Sequence, residues 1–261
     1  MIRSPRKPPN EPDAQELDRL AFDLGLTTVS STLPELLGRA EREGLSYTDF
    51  LLALLRGECN MRQQRKVSRS LKRSRLGKVE GLDGFDFTAR PQLEARVVKE
   101  LLNCRFVEEN RNVICVGRPG LGKTRIAKAI AQAACLRGHS VLFTTAADML
   151  EDLHTSLADG SFKRTFRRYT KPRILFCDEF GYQAFDTKLA GYLFRLVSAR
   201  HGRGSILLTA NTGFAKWSSF FPSESQAVAT VDRLIDRATI LRFTGKSFRN
   251  PHEIQGAPLE E

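Results

Sequence analysis

Residues 113–124 read VICVGRPGLGKT, an apolar strand pattern that runs into a glycine-rich loop. The loop has the form G-x-x-x-x-G-K-T, in which glycines let backbone N–H groups surround phosphate oxygens. The lysine adds a positive charge beside the β- and γ-phosphates, and the final hydroxyl can ligate Mg²⁺. We therefore predict that this phosphate loop (residues 117–124) binds ATP and Mg²⁺ through Gly117, Arg118, Pro119, Gly120, Leu121, Gly122, Lys123 and Thr124.

The segment after the loop favours a nucleotide site over a chance match to a short pattern. Apolar side chains at Ile126, Ala129 and Ile130 have the spacing of a helix. A helix that begins at Thr124 would direct its positive dipole end toward bound phosphates.

Two acidic residues follow a second strand pattern, at residues 173–179, which read RILFCDE. Open α/β sheets bind ligands at the carboxyl ends of their strands. An Asp-Glu pair alone also begins many surface turns, but after a phosphate loop it favours catalysis. We predict that Asp178 holds Mg²⁺ and that Glu179 polarises the attacking water.

A polar amide follows a third strand pattern, at residues 205–209, which read SILLT. Asn211 at the tip of this strand would lie beside the γ-phosphate. The alternative is that Asn211 only opens a turn before Gly213.

Strand and helix patterns alternate between residues 113 and 243, which predicts an α/β fold of the P-loop NTPase class. In this fold a parallel sheet is flanked by helices. Residues 10–60 contain only helical patterns. We predict a small helical N-terminal region with a basic helix (1–80), an ATPase domain (81–250) and a C-terminal tail (251–261).

The composition indicates a cytoplasmic protein with a polyanionic partner. The formal charge is +11 and the pI is near 9.7, which favours nucleic acid first and acidic lipid second. No apolar run approaches the ~18 residues of a membrane span, and the N-terminus has no secretory signal pattern. The five cysteines lack C-x-x-C spacing, as expected in a reducing compartment.

Two segments concentrate the positive charge. Residues 62–78 contain eight Lys/Arg and no Asp/Glu, and helical spacing places six cations on one basic stripe: Arg62, Arg65, Lys66, Arg69, Lys72 and Arg73. Residues 162–171 interleave aromatic and basic residues, so the aromatic face predicts core packing. The opposite face carries Lys163, Arg164, Arg167 and Arg168. A charge run is often only a solvated face, but like charges at i,i+4 repel, so we predict that both segments bind DNA phosphates.

Taken together, these motifs resemble the IstB-like ATPases, helper proteins of insertion-sequence transposition related to the DnaC and DnaA group of AAA+ ATPases. The resemblance spans roughly residues 45 to 250. Besides the phosphate loop, it is carried by GFDF at 84–87, LFCDEFGY at 175–182, TAN at 209–211, VDRL at 231–234 and GKSFR at 245–249.

The resemblance implies further roles. Asp178 would be the metal-holding acid, Glu179 the catalytic base and Asn211 the first sensor. Arg233 would be an arginine finger that completes the site of a neighbouring subunit in a homo-oligomer. Arg249 is a candidate second sensor. The segment 147–169 would be the insert that initiator-type ATPases point at DNA.

The expected function is that of an AAA+ ATPase that binds double-stranded DNA and assists a transposase. A DnaC-like loader of a replicative helicase is the alternative with the same fold. A nucleotide-dependent DNA-binding scaffold without turnover is a third, but such a switch would need no catalytic base at Glu179.

Overall fold

The computed structural model describes residues 11–181 and 184–248, so Arg249 and the predicted tail at 251–261 lie outside the described residues. Contacts divide the chain into two compact units, with the boundary between Lys66 and Val67. The predicted domain division at residue 80 stays a prediction. No described helix is long and apolar enough to cross a membrane.

The first unit is helical, as the sequence predicts. Its elements are α1 (Glu11–Asp23), α2 (Val29–Glu43) and the first part of α3 (Tyr47–Ser74). The Ser46 hydroxyl accepts from the Asp49 N–H at 3.1 Å and so caps the start of α3. The apolar pattern near Phe50 and the basic pattern after residue 62 therefore belong to one helix of 28 residues.

A buried carboxylate holds the helices of the first unit together. Glu58 is only 3% exposed and accepts from the Thr28 N–H at 2.9 Å, the Thr28 hydroxyl and the Arg62 guanidinium. The hydrogen bond from the Thr28 side chain is the main cause that lowers the pKa of Glu58 to about 2. Arg62 also donates to the carbonyl of Gly25, so this member of the basic stripe has a structural role.

The second unit contains a five-stranded parallel sheet in the order β2-β3-β4-β1-β5, which confirms the predicted fold class. The strands are β1 (Val113–Gly117), β2 (Val141–Thr145), β3 (Ile174–Phe180), β4 (Ser205–Ala210) and β5 (Thr239–Phe243). The helices are α4 (Ala95–Leu101), α5 (Arg105–Glu108), α6 (Lys123–Leu136), α7 (Ala146–Thr155), α8 (Phe162–Thr170), α9 (Thr187–Arg200) and α10 (Glu224–Ile235). A 3₁₀ helix covers Phe214–Phe220.

Both faces of the sheet are covered, and the central strands are accordingly rich in apolar residues. Every residue of β1 and β4 is buried. One core cluster contains Ile126 of α6, and the other contains Leu150 of α7 and Trp217. In the register, Ala210 of β4 pairs with both Val116 and Phe180, so three strands end at one edge.

Two segments differ from their sequence patterns. The predicted helical region 147–169 is divided into α7 and α8 by a turn, in which the Asp159 carboxylate accepts from the Ser161 N–H at 2.9 Å. Residues 81–91 have no helix or strand pattern in the sequence, yet they form part of the packed second unit. Within them Phe85 is 7% exposed and Arg90 is 1% exposed.

A buried guanidinium fixes the end of α8 to the sheet. Arg200 donates to four backbone carbonyls at 2.8–3.2 Å: Tyr169, Thr170, Arg173 and Ser205. Burial lowers the pKa of Arg200 to about 10. Within the described part of the chain it has no acidic partner, so the carbonyl oxygens alone compensate the lost hydration of the cation.

We expect Arg200→Leu to lower the free energy of unfolding by about 3 kcal/mol, because the substitution leaves several buried carbonyls without a donor. Urea unfolding followed by circular dichroism measures the change. Arg203→Leu is the matched control, since Arg203 is exposed, and it should change stability by only about 0.5 kcal/mol. Equal stability of the two variants would show that Arg200 is not a structural cation.

Candidate nucleotide-binding site

The phosphate loop leads from the end of β1 into the first turn of α6. Gly122 has a φ of +91° and lies directly before Lys123, the first residue of the helix. A Cβ at this position would lie 2.7 Å from Cε2 of Phe85. Both the left-handed backbone and the close aromatic ring therefore require glycine here. The N-terminus of α6 points into the loop, where it favours an anion.

The lysine of the motif is held inside the loop. Lys123 is 6% exposed, and its Nζ donates to the carbonyl of Arg118 at 2.7 Å. A buried ammonium group loses much of its hydration, so it favours an anionic ligand at this place.

The structure brings together Thr124 and Asp178, the two side chains that the sequence assigns to Mg²⁺. The Thr124 hydroxyl donates to Oδ1 of Asp178 at 3.0 Å, although the two residues are 54 positions apart. A hydroxyl oxygen beside a carboxylate is the type of ligand set that Mg²⁺ prefers. These two side chains therefore fit the predicted metal.

Glu179 lies in an irregularity of β3. The pairing of β3 with β4 shifts between Cys177 and Phe180, and Glu179 has a φ of +58°. As a result Glu179 is exposed while Asp178 and Phe180 are buried. Such a conformation is uncommon for a residue other than glycine and often occurs at functional sites.

Thr209 supports this conformation. Its hydroxyl accepts from the Glu179 N–H at 3.1 Å and donates to Oδ1 of Asp178. Thr209 is a functional-site residue that is not predicted from the sequence motifs. Its signal was a polar residue at the carboxyl end of an otherwise apolar buried strand.

Asn211 directly follows β4, which lies between β1 and β3 in the sheet. Ala210, the preceding residue, pairs with Val116 just before the phosphate loop and with Phe180 just after the acids. The register therefore places Asn211 at the same edge as both motifs.

Two buried thiols lie in the strands beneath the site. Burial raises the pKa of both Cys115 and Cys177 to about 12. For Cys115, the nearby charge of Lys123 partly opposes this effect. Both thiols are protonated at neutral pH and act as small core residues.

Arg233 lies near the amino ends of the strands, whereas the phosphate loop lies at their carboxyl ends. The Asn112 side chain, just before β1, donates to the carbonyl of Leu234 at 2.9 Å, so the end of α10 lies beside the start of β1. Five residues of strand, roughly 16 Å, separate this position from the phosphate loop. The Arg233 guanidinium donates to the carbonyl of Ala229 at 2.7 Å and lies 5.0 Å from the centre of the Phe194 ring.

The second basic segment forms an exposed cationic surface on α8. Phe162 and Phe166 pack on α9, where the Phe162 ring lies 5.7 Å from Tyr192, and this confirms the predicted aromatic core face. The opposite side lines an open groove of about 510 Å³ and forms the α8 patch: Lys163, Arg164, Arg167, Arg168 and Lys171. Arg168 also forms an ion pair with Asp152.

The predicted basic stripe lies on α3, and its side chains are exposed. Arg62, Arg65 and Lys66 belong to the first unit. There Arg62 pairs with Glu58, and Arg65 donates to the Thr27 hydroxyl. Arg69, Lys72 and Arg73 belong to the second unit.

Two solved structures show the fold of the second unit. DnaI matches with a TM-score of 0.51 at 18% identity and covers 57% of this chain and 82% of its own. A DNA replication initiation factor matches with a TM-score of 0.50 at 19% identity and covers 62% of this chain and 49% of its own. At these identities the likeness shows the fold alone, which is that of a P-loop AAA+ domain.

Relatives of higher identity come from bacterial insertion sequences. A protein of IS21 from Pseudomonas aeruginosa is 37% identical over 234 residues, which cover 90% of this chain and 88% of the relative. A protein of IS5376 from Geobacillus stearothermophilus is 34% identical over 210 residues, which cover 80% and 84%. Both are named as ATP-binding proteins. The sequence profile described as IstB-like ATP binding protein matches residues 19–256, and this protein therefore belongs to the IstB-like ATP-binding family.

Proposed function

We propose that this protein is a Mg²⁺-dependent ATPase that assembles on double-stranded DNA and assists a transposase. The observation that carries the proposal is the junction of the phosphate loop with the two acids. Thr124 contacts Asp178, and the bulge at Glu179 presents a second carboxylate at the same edge. This arrangement combines a phosphate cradle, a metal ligand pair and a base.

Each side chain has a defined task in ATP hydrolysis. Lys123 would exchange the Arg118 carbonyl for the β- and γ-phosphates. Thr124 and Asp178 would hold Mg²⁺, which neutralises charge on the phosphate oxygens when bound. Glu179 would accept a proton from the attacking water, and Asn211 would orient the γ-phosphate or the water.

The exposed position of Glu179 favours an enzyme over a scaffold that only binds nucleotide. The left-handed backbone at Glu179 costs stability, so its presence beside the phosphate loop favours a catalytic role for the carboxylate. Binding alone would be served by the phosphate loop and Asp178.

The position of Arg233 supports a homo-oligomer. A guanidinium at the edge opposite its own phosphate loop cannot reach the nucleotide bound there. It can reach a nucleotide held by a neighbouring subunit if it leaves the Ala229 carbonyl. Each ATP would then lie at a subunit interface.

DNA would bind to the cations of the α8 patch and of the basic stripe. Among residues 11–181 and 184–248, no acidic residue lines the groove of the α8 patch. Because phosphate contacts position DNA without reading its sequence, the binding through these surfaces would be largely sequence-independent.

The transposase partner is supported by the names of the relatives, which place them in insertion sequences. The helicase-loader alternative rests only on the resemblance of the sequence motifs to the DnaC group. A transposase gene beside the gene for this protein would favour the first function.

We expect Glu179→Gln to retain ATP binding and to lower the hydrolysis rate by roughly 10²- to 10⁴-fold, because the amide keeps the shape but cannot accept the proton. Phosphate release with and without DNA, together with binding of a fluorescent ATP analogue, separates the two effects. Lys123→Ala is the comparison variant, and it should weaken binding itself. Turnover of Glu179→Gln at the wild-type rate would remove Glu179 from the mechanism.

We expect Arg233→Ala to be nearly inactive and to regain activity when mixed with Glu179→Gln. A mixed interface joins the intact Glu179 of one subunit to the intact Arg233 of the other. An arginine finger supplied in trans is typically worth ~10³–10⁵ in rate. The ATPase rate is measured across mixing ratios. A mixture as inactive as either variant would mean that Arg233 acts within its own subunit or only in structure.

We expect replacement of three cations of the α8 patch by Gln to flatten the salt dependence of duplex binding by about two to three units of slope, since each neutralised phosphate contributes about 0.9. The variant changes Lys163, Arg164 and Arg167. Salt titrations with ATP present measure the slope.

The matched control removes the same charge from exposed positions on α4 and α5: Arg96, Lys99 and Arg105. Its slope should stay near the wild-type value. Equal slopes for both triple variants would show that the α8 patch is only a solvated surface. The same titration with Gln at Lys66, Lys72 and Arg73 measures the share of the basic stripe.

A further inference from the structure

Two hydrogen bonds hold the phosphate loop from outside. The N–H of Phe248, after β5, donates to the carbonyl of Gly120 at 2.9 Å. The Nε of Arg90, before α4, donates to the carbonyl of Leu121 at 3.0 Å. One segment before β1 and one segment after β5 therefore donate hydrogen bonds to consecutive carbonyls of the loop.

These bonds fix the direction of the N–H groups that would bind phosphate. In a planar trans peptide the C=O and the following N–H point in opposite directions. When the carbonyl of Gly120 is held outward, the N–H of Leu121 must point inward. In the same way, the outward carbonyl of Leu121 turns the N–H of Gly122 inward.

Burial and contacts with neighbouring residues hold the Arg90 side chain in this position. It is 1% exposed, its Cζ lies 3.9 Å from the centre of the Phe248 ring, and its Nη1 donates to the carbonyl of Ala89 at 2.7 Å. The Asp86 carboxylate accepts from the N–H groups of Thr88 and Ala89 and so sets the turn that leads into Arg90.

The burial and the hydrogen bonding of Arg90 favour a functional role for this cation. Burial is the main cause that lowers its pKa. Its Nη2 is buried without a hydrogen-bond partner among residues 11–181 and 184–248. A buried guanidinium with an unused donor costs stability, so its presence here favours a role at the adjacent site. Packing at Gly245 confirms how tight this region is, because a Cβ there would lie 2.3 Å from the carbonyl oxygen of Ala89.

We propose that Arg90 is a positioning residue that orients the backbone N–H groups of the phosphate loop toward the β-phosphate. This inference rests on the nucleotide site proposed above and deepens it. Arg90 acts on the phosphates through the carbonyl of Leu121, so its loss relaxes the peptide plane that directs the Gly122 N–H inward.

A competing role for the same residues is to stack on the base of the nucleotide. Phe248 presents a half-exposed ring beside the loop, and the buried guanidinium of Arg90 lies against this ring. A phosphate-only ligand separates the two roles, since tripolyphosphate uses the loop N–H groups but has no base.

The test is competition between tripolyphosphate with Mg²⁺ and a fluorescent ATP analogue on the full-length protein. We expect Arg90→Met to weaken tripolyphosphate binding about tenfold or more, as for loss of a hydrogen bond with a charged partner. Arg90→Lys keeps a donor of similar reach and should recover part of the affinity. It also keeps the proposal testable if Arg90→Met folds poorly.

Arg125→Met is the matched control. Arg125 donates to the carbonyls of Gly81 and Asp83 and lies 5.7 Å from the centre of the Phe85 ring, so it holds the same segment without touching the loop carbonyls. We expect this variant to bind tripolyphosphate like the wild type.

The inference is overturned if Arg90→Met loses affinity for the ATP analogue but not for tripolyphosphate, which would indicate base stacking. It is also overturned if Arg125→Met loses as much as Arg90→Met, or if Arg90→Met binds like the wild type. If the wild type binds neither tripolyphosphate nor ATP, the nucleotide site itself is overturned instead.

Discussion

The Thr209 hydroxyl links the ends of the strands that form the candidate site. It donates to Asp178 and accepts from the N–H of Glu179, and Asp178 in turn accepts from Thr124 at the start of α6. These hydrogen bonds bring together β4, β3 and the helix after β1. These bonds lie at a buried end of the strands, where water competes little, and are therefore strong. They hold Asp178 in a buried environment and Glu179 in an exposed one.

The phosphate loop depends on contacts behind it as much as on its own glycines. Lys123 and the N-terminus of α6 supply positive charge on the inner side. Arg90 and Phe248 fill the outer side and hold two carbonyls. The inner surface can therefore present N–H groups without relying on the ligand to order them, which reduces the ordering cost of binding.

The sequence predicted most of the fold and the motifs that meet at the candidate site. Buried strands such as Val113–Gly117 were visible as short apolar runs, and the loop glycines require little context. Tertiary contacts account for what was missed. The single long helix α3 joins two patterns of different composition, and no local signal indicates that Glu58 is buried against Thr28. Arg200 looked like an ordinary helix-terminal cation, yet it is buried on four carbonyls.

The sequence by itself determined the α/β class, the phosphate loop, and the acids at 178–179, because local spacing and strand-end chemistry specify these features. Only the tertiary structure decided which cations are exposed and which are buried. It also placed Thr209 beside Asp178 and Glu179, and it placed Arg90 behind the phosphate loop. Arg233 lies near the amino ends of the strands, away from the phosphate loop. These positions depend on the strand order β2-β3-β4-β1-β5, which brings together residues far apart in the chain. Hydrogen-bond partners at such separations leave no periodic signal in the sequence, so the folded backbone alone identifies them.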